Sequence, residues 1–172
     1  NNNPLLQKFS GYTQYDILQK FLLKQNDYLK HQLNFQFSNR SNIPRYDRLT
    51  DPKGSGLNSA EWYYGPQKRI LGAYEMHAAA IGFADDLKVN INYQDIEESR
   101  QQREYKRYDR FDSRVEKVKV WGWAITARKK AGDHEITAGI DGQFNDVKSR
   151  AQRTDLTTGA VTKLDTRYPD GK

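Results

Sequence analysis

Residues 28–38 alternate without a break: Leu29, His31, Leu33, Phe35 and Phe37 fall on one side of an extended chain, Lys30, Gln32, Asn34, Gln36 and Ser38 on the other. Successive side chains of a strand point to opposite faces, so this pattern makes a strand with one apolar and one wetted face. The rule recurs at 86–94, where Leu87, Val89, Ile91 and Tyr93 oppose Lys88, Asn90, Asn92 and Gln94. It recurs at 135–145, where Ile136, Ala138, Ile140, Gly142 and Phe144 oppose Glu135, Thr137, Asp141, Gln143 and Asn145.

Residues 14–24, 67–80 and 114–128 alternate less cleanly but are rich in β-branched and aromatic residues, and short turns at 25–27, 81–85 and 130–133 tie them to the clear strands. Six strands in three antiparallel hairpins follow. Between the hairpins the connections are long, at 39–66, at 95–113 and after 146. Strict alternation of tight and long connections is the topology of an up-and-down barrel that spans an outer membrane, with lipid-facing and lumen-facing residues taking turns along each strand. About 10 residues suffice for a tilted spanning strand. In that frame the wet faces line a polar lumen, and Tyr12, Tyr15, Phe37, Tyr93, Trp121, Trp123 and Phe144 supply an interfacial belt.

The same period also suits a small soluble β-barrel or sandwich of binding-module type, in which those aromatics form core or cross-strand pairs. Burial separates the two. A soluble barrel points Leu33, Phe35, Val89 and Ile91 inward and Lys30, Asn34, Lys88 and Asn90 outward; a membrane barrel does the reverse.

With 36% of residues hydrophobic and 29% charged the apolar inventory is thin, yet 11 tyrosines, 7 phenylalanines and 3 tryptophans carry far more aromatic surface than disordered chains do. The chain therefore folds. The absence of cysteine excludes a disulfide scaffold, a thiolate metal site and a cysteine nucleophile. No apolar run is long enough for a transmembrane helix, and the opening "NNNPLLQKFSGY" lacks the basic-then-apolar layout of a signal peptide. A net charge of +6 permits an anionic partner without requiring one.

Catalytic chemistry finds no support. His31, His77 and His134 are far apart with no metal-ligand spacing, and no nucleophile-elbow, zinc-protease or phosphate-loop pattern occurs. No catalytic residue, metal or cofactor is expected, and the chain is read as a non-enzyme. Asp95, Glu97 and Glu98 sit in "DIEESRQQREYKRYDRFDSR", residues 95–114, among Arg100, Arg103, Lys106, Arg107 and Arg110, and read as a solvated charged loop with internal ion pairs. Basic residues interleaved with Tyr105, Tyr108 and Phe111 also suit single-stranded nucleic acid. The acids nearly cancel the bases and no nucleic-acid-binding signature appears, so nucleic acid is not an expected partner.

The connection containing "RYDRLTDPKGSGLNSAEWYYGPQKR", residues 45–69, is the richer one. Its prolines and glycines set turns, while Tyr46, Trp62, Tyr63 and Tyr64 present rigid aromatic faces with hydrogen-bonding tips, a combination suited to recognition. Arg45, Tyr46, Asp47, Trp62, Tyr63 and Tyr64 of this connection, with Arg100 and Arg103 of the next, are the candidate ligand contacts, all expected on external loops.

Four stretches, "SNIPRYDRLTDPKGSGLNSAEWYYGPQKR", "INYQDIEESRQQR", "AGIDGQFNDVKS" and "LDTRYPDG", resemble in order and approximate spacing the barrel of TonB-dependent outer-membrane receptors of Bacteroidetes-type bacteria. The resemblance covers essentially the whole chain and implies an active transporter. Such a receptor is a 22-stranded barrel with a plug inside, energised by contact with TonB, in the outer membrane of Gram-negative cells. Its ligands are scarce nutrients such as ferric siderophores, haem, cobalamin or glycans, with a surface lipoprotein as a further partner in some systems. The resemblance also implies that residues 1–172 are one segment of the barrel domain, about six strands of the 22, with the plug domain and remaining strands absent. Such a piece has open edges and carries nothing across a membrane by itself.

Overall fold

The structure is a computed structural model, and it describes residues 5–8 and 10–169. Part of the opening stretch, and Asp170 and Gly171 of the last resembling segment, lie outside the described residues. The chain runs as β1 (Gln14–Lys24), β2 (Leu29–Arg40), β3 (Ile43–Pro44), a one-turn helix α1 (Tyr46–Leu49), β4 (Pro52–Lys53), β5 (Gly56–Leu57), β6 (Ser59–Tyr64) and β7 (Gln67–Ala79). It continues as β8 (Asp86–Glu104), β9 (Arg110–Ala131), β10 (His134–Asp155) and β11 (Val161–Lys163). One antiparallel sheet carries the strands in the order β1-β2-β7-β8-β9-β10-β11, with β6 joined to β8 beyond the end of β7 and β3 joined to β6. The protein is all-β with up-and-down connectivity. The long edge strands β1 and β10 are not paired with each other, so the sheet is open.

The three tight turns are built from local chemistry. The Asn26 side-chain oxygen accepts the Tyr28 amide at 2.9 Å, an Asx turn that closes β1 on β2. Ala131 and His134 are direct partners, so the β9–β10 connection is the two residues Gly132 and Asp133, and Gly132 takes the positive φ of +62 that such a hairpin needs. Between β7 and β8, Asp85 accepts the Lys130 amide at 2.8 Å and pairs with Lys129 at 2.9 Å, locking the turn onto the neighbouring hairpin.

Register turns the alternation into two continuous surfaces. On one, Leu33, Tyr74, Ile91, Trp123 and Gly142 form a row across five strands, and Phe35, Gly72, Tyr93, Trp121 and Phe144 form the next. On the other, Gln32, Glu75, Asn90, Ala124 and Asp141 form a row beside Asn34, Ala73, Asn92, Gly122 and Gln143. The apolar surface is the open one: Leu33 is 54% exposed, Ile91 48% and Phe144 67%. Leu33, Phe35 and Ile91 are exposed and Val89 is half-buried, and with the sheet open neither face is an interior.

Among the described residues, the buried apolar ones are small or isolated, namely Ala78, Ala84, Val120 and Ala151. The molecule exposes 12256 Å², where a compact monomer of 20.0 kDa exposes about 8,700 Å² by area scaling. Main-chain ladders and cross-strand pairs, not a central core, hold the sheet together.

The strands are longer than hydrophobic alternation predicts. Residues 95–113 read as a loop, yet β8 continues to Glu104 and β9 begins at Arg110, with their ladder unbroken to Gln102 opposite Asp112. Likewise β10 continues past Asp146 to Asp155. Beyond Tyr93 the faces no longer keep their character, with Ile96, Val118 and Val147 in a row on the face that is polar below and Asp95, Lys119 and Asp146 in a row on the other, so the period-two signal fades while the main-chain hydrogen bonds, which do not depend on side-chain polarity, carry on.

Candidate functional site

The extended end of the sheet carries the candidate residues. Strand β6 pairs with the upper part of β8 so that Tyr64 lies opposite Arg100, Tyr63 opposite Gln101, Trp62 opposite Gln102 and Glu61 beside Arg103. Alternation then divides the candidates. Trp62, Tyr64 and Arg100 share the polar face, whereas Tyr63 and Arg103 share the face that is apolar lower down. Arg100 and Arg103 are strand residues of β8, not loop residues as their charged surroundings suggest, because the ladder runs through them.

Arg45 organises the polar side. Its amide donates to the Trp62 carbonyl at 3.0 Å, which docks the start of α1 against β6. Its guanidinium lies 5.4 Å from the Trp62 ring centre and 5.6 Å from that of Tyr64, while those two rings meet edge to face at 4.8 Å. The same guanidinium donates through Nε and Nη2 to both Asp47 oxygens, at 2.7 and 2.5 Å. That bidentate bond holds the Asp47 carboxyl below its ordinary value and raises Arg45 above its own. Arg48 reaches the Trp62 ring at 5.9 Å and pairs with Asp51 at 3.1 Å. Tyr46 is exposed on α1.

On the other face Arg103 donates to Glu61 at 2.8 Å and lies 5.7 Å from the Tyr108 ring centre. Tyr63 packs against Phe111 at 6.5 Å between ring centres, and burial pushes its phenol up. These contacts tie β6 to the β8–β9 hairpin. Thus Arg45, Asp47, Trp62, Tyr64 and Arg100 are brought to one side, and Tyr63 and Arg103 are not.

Six residues absent from the candidate set complete the polar wall. Gln102, Asp112, Arg114 and Arg153 line a depression of about 230 Å³ with Glu104 and Arg110. Arg153 holds Asp112 through two bonds of 2.6 and 2.7 Å. Arg100 and Arg114 are direct partners on this face, one row from Glu98 and Glu116, and neither guanidinium makes an ion pair among the described residues. The signal for these residues was present in the sequence: Arg100, Gln102 and Glu104, then Arg110, Asp112 and Arg114, recur at period two.

The arrangement offers rigid ring faces, fixed guanidinium forks and amide groups, which suits multidentate recognition of a polar ligand. His31 is held by Tyr74 at 2.7 Å and Gln25 at 3.0 Å, and His77 is bonded to Asp86, far from this wall along the sheet. Among the described residues no group of three His, Asp or Glu side chains is placed to hold a metal ion. No protein-family model and no curated protein matches the sequence.

Proposed function

We propose that the chain is an arc of a plugged outer-membrane barrel, part of a TonB-driven active transporter that takes up a scarce nutrient of the ferric siderophore, haem, cobalamin or glycan class. The observation that carries the reading is the two-faced sheet: an exposed apolar surface bordered by Tyr93, Trp121 and Phe144, backed by a polar surface that continues into the Arg45–Trp62–Tyr64 cluster. An apolar area this continuous is foreign to soluble monomers and is what lipid covers in a membrane barrel. The turns at 25–28, 80–85 and 132–133 lie at one end, and the long 41–66 connection with the far-reaching tips of the β8–β9 and β10–β11 hairpins at the other, as inner and outer ends of such a barrel do. Further strands pair with the open edges of β1 and β10, the plug fills the lumen and meets TonB, and the polar wall meets the nutrient. A surface lipoprotein, where present, caps the long hairpins.

The absence of native cysteine makes the test direct. Single cysteines at Leu33, Ile91 and Ile140, and at Asn34, Asn90 and Asp141, are labelled with a spin probe in cell-envelope preparations. Lipid-soluble oxygen relaxes the first set and a water-soluble nickel chelate the second. Equal access of the nickel chelate to both sets overturns the membrane reading. For transport, uptake that survives collapse of the proton-motive force, or that is unchanged by Trp62→Ala and Arg45→Ala together, removes the transporter role.

A further inference from the structure

The polar face carries an order of charge that its strands do not use among themselves. Glu98 on β8 is the direct partner of Glu116 on β9, and in the next row up Arg100 is the direct partner of Arg114. Like charges set directly opposite repel, and here two such pairs follow one another, an acidic row and then a basic one. None of the four side chains makes an ion pair or hydrogen bond among the described residues. The charges around them are engaged elsewhere, Arg153 with Asp112, Arg45 with Asp47, and Arg69 with the Gln94 side-chain oxygen at 2.8 Å. Glu98 lines a cleft of about 450 Å³ that Arg40 and Asp16 also border, and Arg114 lines the depression of about 230 Å³ beside Gln102, so there is space on both sides of the four charges.

We infer that these four residues bind a zwitterion of dipeptide length, its ammonium group between Glu98 and Glu116 and its carboxylate between Arg100 and Arg114. The inference deepens the proposed function and rests on the polar surface being the wall that meets the nutrient: it makes the nutrient, or the part of it seated here, an amino-carboxylate and not a neutral glycan. Order selects the charge type. A free anion drawn to the arginines meets two carboxylates one row below, and a cation drawn to the glutamates meets two guanidiniums one row above, whereas a dipolar molecule aligned with the strands is attracted at both ends. Spacing selects the length. Alternate residues of a strand stand about 7 Å apart, and the ends of an extended dipeptide are separated by about the same distance, while a single amino acid spans about half of it. Tyr64, the partner of Arg100, and Trp62, edge to face with it, set ring surface beside the carboxylate end, where the side chain of the ligand's second residue packs.

The test is calorimetric titration of the detergent-purified full chain with L-alanyl-L-phenylalanine, its N-acetyl form and its C-terminal amide. The native chain is expected to bind the free dipeptide about 10-fold more tightly than either blocked form, the scale of one charge-assisted contact. In Arg100→Gln/Arg114→Gln the preference over the amide vanishes and the preference over the acetylated form remains; in Glu98→Gln/Glu116→Gln the two are exchanged. The preference retained at the far end shows that each variant's sheet is intact. No binding of the free dipeptide, or a free dipeptide held no more tightly than the blocked forms, overturns the inference. So do variants that keep native strand content by circular dichroism yet lose neither preference or lose both. The spin-probe contrast between the two faces tests the membrane reading separately: charge matching without that contrast removes the membrane and leaves this site, and the contrast without charge matching removes this site alone.

Discussion

Tyr93 on β8 and Trp121 on β9 are direct cross-strand partners with ring centres 4.5 Å apart, and the next pair up the same face is Asp95 and Lys119. Two residues thus separate an aromatic pair from a charged one on a single surface. Rings with polar tips settle where apolar and aqueous surroundings meet, so this step marks a boundary across the sheet. Below it the indole of Trp123 covers Gly142, whose added Cβ would sit 2.7 Å from the ring.

The ring pair is expected to be energetically coupled. In a double-mutant cycle of Tyr93→Leu and Trp121→Leu, read by denaturant unfolding in detergent micelles, a coupling of about 1 kcal/mol is expected. A coupling indistinguishable from zero means that each ring acts only through its own burial.

Gly65 closes the connection between β6 and β7. Its φ is +111, its amide donates to the Ser99 carbonyl at 2.8 Å, and an added Cβ would lie 2.7 Å from the Ser41 carbonyl oxygen. Both the backbone region and the contact penalise any side chain. Gly65→Ala is expected to cost about 2 kcal/mol and to open residues 41–66 to limited proteolysis. Unchanged cleavage rates contradict the role given to this glycine.

Arg45 is predicted to act by its shape as well as its charge. A lysine keeps the charge but loses the planar fork that bonds both Asp47 oxygens while facing two rings. If the proposed nutrient site is here, Arg45→Lys and Arg45→Ala are each expected to lower affinity for it about 10-fold, the scale of one well-placed contact. Full affinity in the lysine variant shows that charge alone suffices.

Acid is expected to loosen the tight-turn end through Asp85. The Lys130 amide, the larger influence, and Lys129 hold its carboxyl below the ordinary value of 3.8. A depressed folded-state value means a contribution fully present above the unfolded value and lost as pH falls through the folded one. The difference in Tm between the native chain and Asp85→Asn is therefore expected to be constant near neutrality and to shrink as pH drops below 3.8. A difference that grows with acidification reverses the assignment.

Much of this architecture is legible locally. The bounds of β1 follow from residues 14–24 alone, and the three tight turns from Asn26, from 81–85 and from Gly132. Such features are set within a few residues, by alternation along one strand and by the conformations that asparagine and glycine accept. The aromatic border was half legible. Of the seven rings expected in the belt, Tyr93, Trp121 and Phe144 share a row, which Phe35 joins; Trp123 lies one row below, Phe37 one row above, Tyr15 further along β1 opposite Asn39, and Tyr12 before β1.

The candidate site divides the same way. That Arg45, Trp62 and Tyr64 offer stacking faces and hydrogen-bonding groups follows from their chemistry, but that Arg100 shares the face of Trp62 and Tyr64 while Arg103 lies on the other does not. The pairing of β6 with β8, the extension of β8, β9 and β10 beyond their alternating segments, and the meeting of Arg153 with Asp112 were decided by tertiary structure. The sequence by itself determined the alternating stretches of the six long strands and which side of each is apolar there, because those depend on neighbours along the chain. Which strand lies beside which, and how far the ladder runs, rests on main-chain bonds between distant segments, and those are blind to the side chains that sequence displays.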